Sequence, residues 1–118
     1  MLRVLESNGF HIDEAMRYCA GVESIYREVL KSFADEGEEK LPILQQCMEN
    51  QDFQRYRIEV HGIKNVAQTI GDVRLFEIAL VQNDAMKAAD FQKAIQGHDE
   101  FMKILKEELA VIRRALKQ

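Results

Sequence analysis

His61 stands in the stretch EVHGIKNVAQTIGD, with Arg57 four residues before it and Lys64 three residues after it. At about 100° per residue an α-helix brings all three to one face, so two cations flank one imidazole. Positive charge beside the ring favours its neutral, nucleophilic form, and the same cations would hold a dianionic group attached to it. The chemistry that suits this pattern is acceptance and retention of a phosphoryl group. The plainer reading is a solvated charged face, where such pairs contribute little.

The other histidines carry less. His98 falls on an apolar seam beside Gly97 and is expected as a hydrogen-bonded core residue, while His11 precedes a helix as a solvated loop or cap residue. None of the three has a carboxylate three residues ahead of it, so the Glu-x-x-His pairing of metal sites in helical bundles is missing. No serine lies in a strained glycine-flanked turn, and Cys19 and Cys47 have no visible histidine partner. Both cysteines are expected as small buried hydrophobes in a reducing cytoplasm. No G-x-x-x-x-G-K-[ST] nucleotide motif is present.

The elements that must position His61 are helical. Of 118 residues 47% are apolar and 31% charged, with one proline and six glycines, and the chain favours the residue types that lose least on entering a helix. The length predicts one domain, 1–118. A net charge of -4 and a pI near 5.4 predict no general attraction to nucleic acid or an anionic membrane. The longest apolar runs, such as IALV at 78–81, fall far below the roughly 20 residues of a membrane span. The first residues lack the apolar core of a signal peptide, and the expected location is cytoplasmic.

Along the chain, HIDEAMRYC reads as a short helix with Asp13 as its cap, and VESIYREVLKSFADE as a helix burying Ile25, Tyr26, Val29, Leu30 and Phe33. Gly37 and its acidic neighbours read as a loop, and Pro42 as the first turn of LPILQQCMEN. From about 52 to 70, Phe53, Tyr56, Val60, Ile63, Ala67 and Ile70 recur by threes and fours, which turns them inward. His61 then looks outward, with Gln54, Arg57, Ile58, Lys64, Asn65 and Gln68 within roughly 60° of it. Gly71 ends this helix in a left-handed conformation and Asp72 caps the next, about 72 to 87, which is apolar enough to be the most enclosed. The last, about 90 to 116, carries Phe91, Ile95, His98, Met102, Leu105, Leu109, Ile112 and Leu116 on one seam. The expected fold is all-α, an antiparallel up-and-down four-helix bundle with a short additional N-terminal helix.

The residues now quoted resemble the motif of histidine-containing phosphotransfer (HPt) domains of two-component phosphorelays: histidine, any residue, Leu or Ile, Lys, small residues, and a glycine ten after the histidine. In HGIKNVAQTIG the residues His61, Ile63, Lys64, Ala67 and Gly71 are in register, and Leu75 and Ala79 match the spacing beyond the glycine. IDEAMRYCAGVESIYREVLKSF is similar to the family's leading helix, turn and second helix, so the likeness runs from about Phe10 to the end of the last helix.

The resemblance implies a histidine exposed midway along one helix of a four-helix bundle, taking a phosphoryl group from a receiver's aspartyl phosphate and passing it to another receiver. It implies His61 as phosphoacceptor through Nε2, Lys64 beside the phosphate, and Asn83 at the position from which a Gln or Glu orients the other ring nitrogen. The docking surface would surround His61, with Ile58 as an exposed apolar contact and Gln54, Arg57, Lys64, Asn65 and Gln68 at its edge. No cofactor is implied on this chain, since Mg²⁺ belongs to the receiver. The implied partner is a response-regulator receiver domain or a hybrid histidine kinase, met by a monomer. Asn65 and Val66 depart from the family's small residues after the lysine. Two other readings stand beside this one: the phosphorylatable domain of a chemotaxis-type histidine kinase, and a helical interaction module that is never phosphorylated.

Overall fold

Every residue from 1 to 118 is described by a computed structural model. The chain is all-helical: α1 (Leu2–Ser7), α2 (Ile12–Tyr18), α3 (Glu23–Glu49), α4 (Phe53–Ile70), α5 (Val73–Lys87) and α6 (Phe91–Leu116). None of these helices is long and apolar enough to cross a membrane. The longest dimension is 40 Å, which α3 alone spans at about 1.5 Å per residue. α4 packs on α5, α5 on α6, α6 on α3 and α3 on α4, while α1 leans on α6 and α2 on α3 and α4.

Three of the links between helices share one construction. The chain leaves α3 through Gln51 (φ 54°), α4 through Gly71 (φ 79°) and α5 through Ala89 (φ 54°), each in the left-handed region. An aspartate follows each time. The backbone N–H groups of Asp52, Asp72 and Asp90 donate back to Cys47, Ala67 and Ala85 carbonyls at 2.8–2.9 Å, closing the outgoing helix. Their side chains accept from the N–H groups of Arg55, Leu75 and Lys93 at 3.2 Å, opening the incoming one. One residue thus ends one helix and starts the next, and no slack is left in the link.

The α4–α5 corner is also clamped from outside. His11 N–H donates to the Gly71 carbonyl at 2.9 Å, and the Tyr26 hydroxyl donates to the Ile70 carbonyl at 2.7 Å. A Cβ on Gly71 would lie 2.5 Å from the His11 oxygen, so only glycine fits here. Asp72 is buried beside Glu108 of α6. Asp72 Oδ2 and Glu108 Oε2 have no hydrogen-bond partner, and Glu108 Oε1 takes Arg74 at 3.3 Å. Burial, and next the Glu108 charge, push the Asp72 carboxyl up from 3.8 to about 8. A protonated Asp72 places no second buried charge beside Glu108 of α6.

Four sequence expectations need correction. Gly37 is not in a loop: α3 runs unbroken through it and through Pro42. A Cβ on Gly37 would meet Leu109 Cδ2 at 2.6 Å, so the glycine marks a close approach of α3 to α6. Pro42 removes one helical donor, yet Leu44 and Cys47 continue the buried row begun by Tyr26, Leu30 and Phe33, and this packing carries the helix across. Asp13 lies in the first turn of α2, whose N-cap is His11 with no side-chain cap bond. Ile25 of α3 is exposed rather than buried. α1, absent from the sequence reading, forms because Leu5 finds a fully buried place in the core.

α6 follows its seam at His98, Met102, Leu105, Leu109 and Ile112, whereas Phe91 is partly exposed and stacks on Phe53 with ring centres 4.4 Å apart. α5 buries Gln82 and Asn83 with Leu75, Ala79, Ala85 and Met86, and leaves Val81 exposed. Its enclosed face is more polar than its composition suggested.

The corners and the carboxyl pair each yield an expectation. Ala89→Gly should raise the unfolding free energy by about 0.5–1 kcal/mol, since alanine is strained in the left-handed region. Gly71→Ala should lower it by at least that much, and urea denaturation reads both. Because the folded chain holds the Asp72 proton more tightly than the unfolded one, its stabilisation is fully present below pH 3.8 and is lost as pH rises through about 8. Asp72→Asn keeps the cap acceptor and a donor toward Glu108. Its stability relative to the native chain should therefore improve steadily as pH is raised across that window.

Candidate functional site

α4 has one buried row and one bare face. Tyr56, Val60, Ile63, Ala67 and Ile70 are buried, and Phe53 is half-buried against Phe91. Gln54, Arg57, Ile58, His61, Asn65 and Gln68 are exposed and Lys64 is half-buried. The imidazole of His61 therefore stands in solvent near the middle of a helix whose opposite side is fixed in the core. Ile58, one turn earlier, is 63% exposed, an apolar side chain without cover.

The charges around His61 are uncommitted. Arg57 and Lys64 enter no ion pair, whereas Glu59, the acid closest to them in sequence, is taken by Lys40 of α3 at 2.6 Å. Local charge on this face is therefore positive in a chain of net charge -4. Such a surface can hold an anion on the ring without first breaking a salt bridge.

Gly62, which the sequence reading passed over, lies directly after the histidine. It has ordinary helical backbone, and a Cβ on it would meet nothing within 4 Å. Packing does not require this glycine, yet in a helix interior it costs about 0.5–1 kcal/mol relative to alanine. Beside it runs a groove of about 210 Å³ between α3 and α4, walled by Phe33, Lys40, Ile58, Ile63 and Val66. Gly62, next to His61 in sequence, is itself one of the residues lining this groove. An exposed mid-helix glycine next to the histidine was the signal available in the sequence.

The ring has one protein partner. Asn65 Nδ2 lies 3.2 Å from His61 Nε2, one turn along the same face. The expectation that Asn83 would orient the ring is not met. Asn83 is 1% exposed and neither of its side-chain polar atoms has a partner, because α5 turns it into the interior while α4 turns His61 out. The neighbouring Gln82 is engaged elsewhere.

That engagement involves His98, whose core placement the apolar seam foretold. His98 Nε2 lies 3.0 Å from Gln45 Oε1, and Nδ1 lies 3.0 Å from the Tyr56 hydroxyl. Gln82 Nε2 donates to Tyr56 Oη and to the Ala94 carbonyl, both at 2.9 Å. Gln45 Oε1 can only accept, so His98 carries its proton on Nε2 and Tyr56 donates to Nδ1. Burial lowers the His98 pKa, which keeps this ring neutral. A Cβ on Gly97 would strike Gln82 Oε1 at 2.4 Å, so that glycine makes room for the network. His98 is structural, and it anchors the inner face of α4 through Tyr56.

His11 is exposed and contributes only its backbone to the corner. Cys19 and Cys47 are buried free thiols. No three His, Cys, Asp or Glu side chains come together in a way that could hold a metal ion. If Gly62 serves access rather than packing, Gly62→Ala should stabilise the fold by about 0.5–1 kcal/mol in thermal or urea unfolding. A neutral or destabilising result would mean the glycine is needed by the fold.

No protein-family model, no curated protein and no solved structure matches this chain.

Proposed function

We propose that this chain is a histidine phosphotransfer domain, in which α3–α6 act as the four-helix bundle of that family and His61 carries the phosphoryl group. The observation that carries the reading is the solvent-facing His61 imidazole at mid-helix on α4, with the unpaired cations Arg57 and Lys64 on its own face. The donor is the aspartyl phosphate of a receiver domain, free or within a hybrid histidine kinase, and the acceptor is a second receiver.

In the transfer, the lone pair of His61 Nε2 attacks phosphorus in line with the acyl-phosphate P–O bond of the donor. The N–P bond forms as that P–O bond breaks, and its electron pair leaves with the donor's carboxylate. Lys64 and Arg57 offset the charge on the phosphoryl oxygens, and Mg²⁺ is supplied by the receiver. Little else is asked of this chain than position and charge. The receiver would rest on Ile58 and the α3–α4 groove, with Gln54, Asn65 and Gln68 at the edge and Gly62 giving clearance.

Incubation with a phosphorylated receiver, and separately with a chemotaxis-type kinase domain plus ATP, tests the reading and tells the two possible donors apart. Acid-labile, alkali-stable label is expected on the native chain and absent from His61→Gln. Lys64→Ala is expected to slow labelling about ten- to a hundredfold, the worth of one charge-assisted hydrogen bond, with unchanged helicity by circular dichroism. Label persisting in His61→Gln would move the site elsewhere, and no label from either donor would leave an interaction module.

A further inference from the structure

Asn65 bonds the one ring nitrogen of His61 that has a protein partner, and an amide nitrogen can only donate. Nε2 must then accept, so the proton of the neutral ring resides on Nδ1, which faces solvent without a protein partner. We infer that Asn65 is a positioning residue for the phosphoacceptor: its side-chain amide holds His61 as the Nδ1–H tautomer, keeps the Nε2 lone pair free of a proton, and shifts to a phosphoryl oxygen once the group arrives.

The inference rests on the reading of His61 as phosphoacceptor and deepens it. Three observations support it together. Asn65 is exposed and its side chain hydrogen-bonds no protein group other than the ring, the Thr69 hydroxyl being taken by the Asn65 backbone carbonyl at 3.1 Å. Asn83, on the neighbouring helix, is buried and unbonded, so no group from α5 competes for control of the tautomer. Lys64 and Asn65 lie three and four residues after His61, both spacings that make neighbours of it on the helix surface, and Lys64 enters no ion pair, so a cation and an amide donor flank the ring. The bond to Nε2 lies in solvent, where water replaces it readily, so Asn65 can withdraw as the donor phosphate approaches.

Atoms balance simply. Nε2 forms the N–P bond while the donor's P–O bond breaks toward its carboxylate, and the Nδ1 proton stays on the ring. The resulting cationic ring bears a dianionic phosphoryl group, and Asn65 Nδ2–H and the Lys64 ammonium are the donors beside it.

The test separates tautomer control from phosphorylation. Chains labelled with ¹⁵N, native, Asn65→Ala and Asn65→Gln, are compared at mildly alkaline pH through the ring-nitrogen shifts of His61. Native chain should show Nδ1 protonated and Nε2 bare. Asn65→Ala should move toward the Nε2–H form, and Asn65→Gln, which retains an amide donor, should recover part of the native pattern. Labelling with phosphoramidate, which needs no protein donor, should slow about three- to tenfold in Asn65→Ala, as for loss of one neutral hydrogen bond. A native ring protonated at Nε2, shifts indifferent to Asn65→Ala, or equal labelling rates would each overturn the inference. If native chain and Asn65→Ala differ in tautomer but neither is labelled at His61 by phosphoramidate or by a receiver, the phosphoacceptor reading itself falls and takes the inference with it.

Discussion

The α4–α5 corner is where the rest of the molecule is set. Gly71 turns the chain with a positive φ, its carbonyl takes the His11 N–H, and the space where a Cβ would sit is filled by the His11 carbonyl. Tyr26 holds the preceding carbonyl from α3, and Asp72 reaches α6 through Glu108. Contacts from the start of α2, from α3 and from α6 thus converge on three consecutive residues, Ile70, Gly71 and Asp72. Because the corner has no slack, the rotation of α4 about its axis and its register against α5 are fixed together. That rotation decides which residues of α4 face water, and His61 is among them.

At the other end of α4 the same rotation is held by a polar device. Tyr56 is fully buried, and its hydroxyl sits between His98 and Gln82, so turning α4 would strand three buried polar groups at once. Leaving a buried donor or acceptor unmade costs about 1–3 kcal/mol, more than such a bond contributes when formed. Gly37 and Gly97 serve the same rigidity, one by admitting Leu109 close to α3 and the other by admitting Gln82 close to α6. The function proposed for His61 calls for a stationary nucleophile, and an exposed side chain on a helix pinned at both ends would supply one.

The outer face of α4 contrasts with its inner face. Inside, polar groups are few and mostly matched; outside, Arg57, Lys64 and Ile58 are left without partners. Asn83 of α5 is buried with neither amide atom bonded. With Asn83 turned away, the protein partner of the imidazole is Asn65, a single turn from His61 on the same helix.

What the sequence alone determined follows from local periodicity. The buried row from Tyr56 to Ile70, the outward His61, the glycine stop at Gly71, the Asp72 cap and the core position of His98 are all consequences of spacing within one helix. Tertiary structure decided whatever depended on a neighbour. Gly37 looked like a loop because its value lies in the approach of Leu109, seventy-two residues away, and α3 crosses Pro42 because a buried row outlasts one missing hydrogen bond. The left-handed exits at Gln51 and Ala89 carry no glycine and were not legible as such. Gln82 and Asn83 look like surface residues until Tyr56 and Ala94 give Gln82 its partners inside. The resemblance pointed to Asn83 as the group that touches His61, whereas packing turns Asn83 inward and leaves Asn65 of the same helix beside the ring. A helical face can be read from one segment, but which side chain from which helix reaches a given atom is settled only when the helices pack.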